Sequence, residues 1–408
     1  MKRILRRGFP ALKHRNFRLF WFGQCISLIG SWMQSIGQSW LVLELTHSAL
    51  RLSLVTMMQF IPVMLFSLYA GTLIDRLPKR KMLIVTQSSL ATLAAVLATV
   101  TYLEIVEYWH LLVLALMLGI VNTLDMPARQ AFIVELVGKE DLPNAIALNS
   151  SVFNLGRIVG PAVAGLLIGL VGIATCFYIN AMSFIPVIAG IVLIRVPPTH
   201  YQAAVFGSLG KIYRDIREGL SYINGREIIK QPLILLAMTS TFVMNFNILV
   251  PVFAQQELGQ NATGYGLLMT SMGIGSFLGS LTLVAKSRNN PRLRFLVGGA
   301  LGMSIMLAAL AWMENFQLSC IILFLIGFCT IIFTTLVNTT LQINSSDEMR
   351  GRVMSVYTLV YGGMIPIGSL FTGQVTELAG TPGCMMISGL IGIMATLWSI
   401  YAMRRKRA

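Results

Sequence analysis

Twelve runs of mostly apolar residues punctuate this chain, beginning near Phe17, Leu52, Met82, Leu111, Ala145, Ala174, Leu233, Gly264, Leu293, Leu318, Val353 and Pro382. Each is about 20 residues long, which as an α-helix at about 1.5 Å per residue crosses the roughly 30 Å hydrocarbon core of a bilayer. Lipid offers no partner to a backbone N–H or C=O, so a spanning segment must satisfy both internally, and a helix does so within one run. With 55% hydrophobic residues, 12% charged residues and a mean hydropathy of +0.74 over 408 positions, little remains for soluble domains. The sequence therefore predicts an all-α membrane protein of twelve transmembrane helices.

The charges test that count. With the N-terminus cytoplasmic, one side collects Lys2 to Arg15, Arg76 to Lys81, Lys286 to Arg294 and Arg404 to Arg407, while the other holds Arg51 alone among basic residues, beside Glu104, Glu107, Glu257, Glu314 and Glu377. Basic residues are retained on the cytoplasmic side during insertion, so one missed span would reverse every later loop. The net charge of +15 reads as this asymmetry plus attraction to anionic lipid, with no nucleic acid as partner. The opening MKRILRR runs into an apolar segment without a small-residue cleavage site, the pattern of an uncleaved first span. Cys25, Cys176, Cys320, Cys329 and Cys384 are scattered singly and read as small buried hydrophobes, with neither a disulfide frame nor a metal site among them.

A polar stretch divides the chain into residues 1–195, a linker at 196–231 and residues 232–408, with six helices on either side. In the linker, Leu209, Ile212, Ile216, Leu220 and Ile223 share one helical face opposite Lys211, Arg214, Asp215, Arg217 and Glu218, which predicts an amphipathic helix on the cytoplasmic membrane surface. Shifting the chain by 208 residues places Gly160 on Gly368, Gly165 on Gly373, Leu170 on Leu378, Gly172 on Gly380 and Cys176 on Cys384. Parallel repeats of this kind form transporters with a substrate cleft between halves near the midplane.

The first helix carries a polar stripe, Gln24, Ser27, Ser31, Gln34 and Gln38, at steps of three, four, three and four. In a bilayer it must face protein or a water-filled cavity. Interhelical packing is one reading, and Gly23, Gly30 and Gly37 support it for the neighbouring face; three glutamines in line favour a wet cavity for the stripe itself.

After the second helix the chain reads GTLIDRLPKRK. Gly71, Asp75, Arg76 and Arg80 there resemble the signature loop of the major facilitator superfamily. The resemblance implies two pseudo-symmetric six-helix bundles working by alternating access, with this loop as a conformational latch. Gly156, Gly160, Pro161 and Gly165 on the fifth helix resemble the superfamily's antiporter motif, with Ala147 and Ala164 where glycine is usual. That motif implies export. The segments FRLFWFGQCISLIGSWMQ, WLVLELTHSAL, NTLDMPARQAFIVELV and SSDEMRGRVMSVY extend the likeness over nearly the whole chain, to the subgroup that includes the enterobactin exporter and macrolide efflux proteins. The subgroup implies a monomer in the plasma (bacterial inner) membrane, both termini cytoplasmic, moving a small siderophore-like or drug-like molecule.

Asp125 and Arg157 lie inside apolar runs, where ionisable groups point to function. Two pairings are open, Asp125 with Arg157 or Asp125 with Arg129 one turn away. For proton-coupled antiport Asp125 is the first candidate and Glu44 the second, because a buried acid beside an arginine can be switched by movement. The candidate substrate contacts are Gln24, Ser31, Gln34, Gln38, Asn149 and Arg157, joined by Tyr357 and Tyr361, which lie one turn apart. No GxxxxGK[ST] motif and no histidine or acid cluster occurs, so neither ATP hydrolysis, catalysis nor a cofactor is expected. Lipid is the solvent, protons and a small molecule are the expected partners, and a lysophospholipid flippase on the same fold is the alternative.

Overall fold

The computed structural model describes residues 9–74, 77–195, 209–286 and 293–405. Asp75 and Arg76 of the expected latch lie outside them. After a short 3₁₀ turn (Pro10–Lys13), six helices follow: α1 (Arg15–Thr46), α2 (Ala49–Ile74), α3 (Lys79–Tyr102), α4 (Tyr108–Gly138), α5 (Glu140–Val171) and α6 (Ile173–Leu193). The linker helix α7 (Leu209–Asn224) leads to α8 (Glu227–Phe242), α9 (Phe246–Gln256), α10 (Ala262–Lys286), α11 (Leu293–Leu310), α12 (Phe316–Asn344), α13 (Asp347–Gly363) and α14 (Ile365–Arg405). Ten segments among the described residues are apolar and long enough to span a membrane, one of them the 57 residues Asp347–Met403, which turn back at Gly380 and so cross twice. The 32-residue α1 is less apolar than these because of its stripe, yet it packs on α5 and α6 as a full member of the bundle. That makes twelve crossings.

The repeat is visible in backbone geometry. Gly172 (φ 86°, ψ 164°) and Gly380 (φ 73°, ψ 169°), 208 positions apart, adopt the same turn, in a region that disfavours any side chain. Four residues beyond each, a cysteine thiol donates to a carbonyl twelve residues back, Cys176 to Ala164 at 3.8 Å and Cys384 to Thr372 at 3.6 Å. Gly160 meets α1 at Trp32, and Gly368 meets α8 at Thr241; Gly165 meets α10 at Thr263, and Gly373 meets α2 at Ser53. Two six-helix bundles, α1–α6 and α8–α14, are thus built to one plan. One core lies wholly in the first, around Phe20, Leu83, Phe132 and Val187; another fills the second, around Phe253, Tyr265 and Phe333, with Trp40 and Ala164 reaching in from the first.

Many hydroxyls inside the helices are satisfied locally. Thr56, Thr123, Ser276, Thr330 and Ser369, for example, each donate to a carbonyl four residues back. The last bundle pauses twice at mid-span, between α8 and α9 and between α13 and α14. At the second pause Pro366 cannot continue the hydrogen-bond ladder. The linker helix departs from expectation in part: its C-terminal turns dock on protein. Ile223 is buried, Arg352 of α13 pairs with Glu218 at 2.9 Å, and the Ser346 amide donates to the Tyr222 hydroxyl at 3.0 Å, a bonding that holds this phenol below its usual range. Helix begins again at Glu227, sooner than the linker limit at residue 231.

Candidate functional site

The bundles meet unevenly. One face of the molecule carries the chain ends and the basic turns; the distal face carries the turns at His47, Gly172 and Gly380. The hydrogen bonds seen between bundles run from the distal face to mid-span. Ser48 and the Leu50 amide donate to Glu377, Thr263 donates to the Gly165 carbonyl at 2.8 Å, and Thr270 to the Ile158 carbonyl at 3.5 Å. The Trp40 and Tyr265 rings stack 6.0 Å apart above them. Small residues allow this approach: a Cβ at Gly373 would lie 1.9 Å from the Ser53 hydroxyl, and one at Gly266 would lie 2.6 Å from the Pro161 carbonyl.

Just inside this seal stands Arg157, halfway along α5 and partly buried. Among the described residues it makes no hydrogen bond or ion pair, and its electrostatic neighbour is Tyr361 in the opposite bundle. Tyr361 stacks on Tyr357, ring centroids 5.9 Å apart and nearly parallel, and Tyr357 reaches Asn338 of α12. Tyr361 is 42% exposed, although it lies within the membrane span. Asn149, two turns nearer the basic face than Arg157, is partly buried on the same helix. A cation and two parallel phenols, one of them reaching the Asn338 amide, can hold an anionic or hydrogen-bonding ligand that has a flat apolar part.

Asp125 belongs to a different cluster. It is fully buried and pairs with Arg129 on its own helix, which settles the open choice of partner away from Arg157. Thr86 and Gln87 of α3 donate to its other oxygen at 2.7 and 2.8 Å, and Arg129 also donates to Gln24 of α1. The Gln24 amide nitrogen, the Gln87 carbonyl oxygen and the Arg129 Nε are buried without a protein partner around it. The stripe on α1 is accordingly divided. Gln24 joins the Asp125 cluster, Gln34 accepts from Asn180 of α6 at 2.6 Å, Ser31 donates to the Ser27 carbonyl at 2.9 Å, and Gln38 is buried. For Gln24 and Gln34 the stripe is interhelical glue.

The motif residues also separate. Gly156 and Gly160 accept Trp32 of α1 within one bundle, whereas Gly165 and the Pro161 carbonyl touch α10 across the interface. Arg80 donates to the Ile191 and Val192 carbonyls at the end of α6, 3.0 and 2.6 Å away, completing that helix terminus within its own bundle. Lys79, one of the basic residues of the signature loop, pairs with Glu135 at 3.0 Å. Gly71 sits in the last turn of α2. Glu44 is exposed at the distal end of α1, accepting from the Trp40 indole at 2.6 Å.

Residues 7–407 match the family described as transmembrane secretion effector, a branch of the major facilitator superfamily. The chain belongs to that family. Among relatives of this secretion effector, the staphyloferrin A transporter of Staphylococcus aureus is 25% identical over 396 residues, 95% of this chain and 96% of the relative. The multidrug efflux pump Tap of Mycolicibacterium fortuitum is 24% identical, covering 86% and 87%, and macrolide efflux protein A of Streptococcus pyogenes is 21% identical, covering 93% and 95%. In fold it is similar to a bacterial homologue of the human lysosomal transporter Spinster, solved inward-facing and unoccupied (TM-score 0.75, 12% identity, 96% and 97% covered), and to the nucleoside transporter NupG (TM-score 0.70, 15%, 96% and 98%). The chain is thus an integral membrane protein of the major facilitator superfamily, and its relatives include efflux proteins.

Two groups of residues in this secretion effector escaped the sequence reading. Thr86 and Gln87 are an adjacent polar pair within an apolar run, a signal that could have been read. Glu377 carried only the weak signal of a loop acid, and nothing local in sequence ties it to Ser48.

Proposed function

We propose that this secretion effector exports a small amphipathic molecule by alternating access, with Arg157 as the substrate's charge partner and protons as the driving ion. The observation that carries the reading is Arg157, a cation at mid-span with no acid partner among the described residues, whose electrostatic neighbour is Tyr361 of the opposite bundle. Because Asp125 is neutralised by Arg129, the arginine is left to the cargo. Asn149, Tyr357 and, on α1, the partly buried Ser31 and the buried Gln38 complete the contact set. The distal seal is one limit of the cycle, in which cargo enters from a cytoplasmic basic face, with both termini on that side. Residues 1–195 and 232–408 move against each other as units tethered by 196–231. Gly71, Asp75, Arg76 and Arg80 supply the latch for the opposite limit, and the Gly156 to Gly165 motif the sliding contact. Asp125, ringed by three unpartnered polar atoms, is the proton site, with Glu44 second in line.

The relatives, a siderophore transporter and two drug efflux proteins, favour this over a lysophospholipid flippase. The test uses inverted membrane vesicles, in which acidification of the lumen drives the protein. Substrate-triggered proton release that is lost in Asp125→Asn supports the antiport reading; unchanged release in that variant removes Asp125 from the role. Leaflet exchange of a labelled lysolipid, with no response to water-soluble candidates, would replace the exporter by the flippase.

A further inference from the structure

The outer surface of the first bundle holds a groove that the transport reading does not use. It lies between α1 and α6 at the basic face, has a volume of about 410 Å³, and is lined by Arg15, Arg18, Phe22, Ile26, Pro186 and Leu193 among others. Its floor is where the two helices approach most closely: a Cβ at Gly190 would lie 2.8 Å from the Leu19 carbonyl, and one at Gly23 would lie 2.6 Å from the Val187 Cα. Phe22 is 58% exposed and Leu193 55%, so the walls face lipid and not the cleft between bundles. A second groove, about 580 Å³ between α10 and α12, has an apolar lining apart from Thr282 and no cation.

We propose that the α1/α6 groove binds one anionic phospholipid, its acyl chain along the apolar floor and its phosphate between Arg15 and Arg18. The length fits: from Arg15 to Ile26 the helix rises about 16 Å, roughly half the hydrocarbon thickness and therefore one leaflet. The charges fit as well. Both arginines are exposed at the mouth in the first turn of α1, neither forms an ion pair among the described residues, and no acid lines the groove. The nearby acid, Asp141, is held by His14 at 2.8 Å. A guanidinium matches a phosphate through paired N–H groups, and each basic side chain at the membrane surface favours anionic over neutral lipid. A zwitterionic head group would bring its own cation against two arginines.

The experiment is native mass spectrometry of the purified full chain in detergent, titrated with dioleoyl phosphatidylglycerol or dioleoyl phosphatidylcholine. The wild type should retain one phosphatidylglycerol per chain at about tenfold lower lipid concentration than phosphatidylcholine. Arg15→Gln with Arg18→Gln should erase that difference. Ala189→Trp, which fills the groove from an exposed position and leaves both charges, should remove the same single adduct. Helix content and monodispersity of each variant report that folding is intact. Equal retention of both lipids by the wild type, or a phosphatidylglycerol adduct that survives both variants, overturns the proposal.

Discussion

Two arginines, twenty-eight positions apart in sequence, divide the electrostatic work. Arg129 is committed to Asp125 and Gln24; Arg157 is uncommitted. Removing the acid from the first pair leaves a partly buried cation without its partner, a change that typically costs about 3–5 kcal/mol. Asp125→Ala should therefore lower the thermal unfolding midpoint of the detergent-solubilised protein sharply, and adding Arg129→Gln should recover much of the loss. At Arg157 the effect belongs to transport instead. Arg157→Gln should cut uptake of an anionic substrate by tenfold or more, on the order of one charged hydrogen bond, with little change in the unfolding midpoint; Arg157→Lys, which keeps charge without the planar fork, should fall between. The sequence marked both charges as unusual. It could not allot partners, because Arg129 and Arg157 are both near enough to Asp125 along or between consecutive helices, and only the rotation of α4 against α3 decides.

Helices in this protein meet through glycine, and the cost of filling each contact differs by position. A Cβ at Gly160 would lie 2.4 Å from that of Trp32, whereas one at Gly298 would meet nothing within 4 Å. Gly160→Leu should destabilise by about 1–3 kcal/mol or more through overpacking, while Gly298→Ala should be neutral or slightly stabilising, since alanine restricts the unfolded chain. Thermal unfolding of the two variants side by side checks the contrast. Helix positions were legible in the sequence because hydropathy is a property of each run alone. Breaks at Phe242 and Gly363 were not read, although Asn245 and Asn247 stand at the first and Pro366 at the second, because the mean hydropathy of each run stays high enough to span. The linker helix was legible in its amphipathic pattern; its docking on α13 depends on Ser346 and Arg352, more than a hundred residues away.

At the scale of the whole molecule, the seal on the distal face predicts a lock. In a background lacking the five native cysteines, Ser53→Cys with Gly373→Cys brings the Cβ atoms to 2.8 Å, so the two helices must part by about 1 Å to reach the ~3.8 Å of a disulfide. Oxidation should stop transport and reduction restore it; transport that continues through the cross-link would mean the distal face need not open. The twofold plan was foreshadowed by five residue matches, but the evenness of the two bundles was not, because it resides in dihedral angles and close approaches that many side chains would serve. One consequence reaches further. The turns at Gly172 and Gly380 are each spanned by a thiol-to-carbonyl contact, so the hairpin α5–α6 and the two limbs of α14 share one corner geometry. The close contacts at Gly165 against α10 and Gly373 against α2 occupy matching places in the two halves, so a movement at one is expected to have its counterpart at the other.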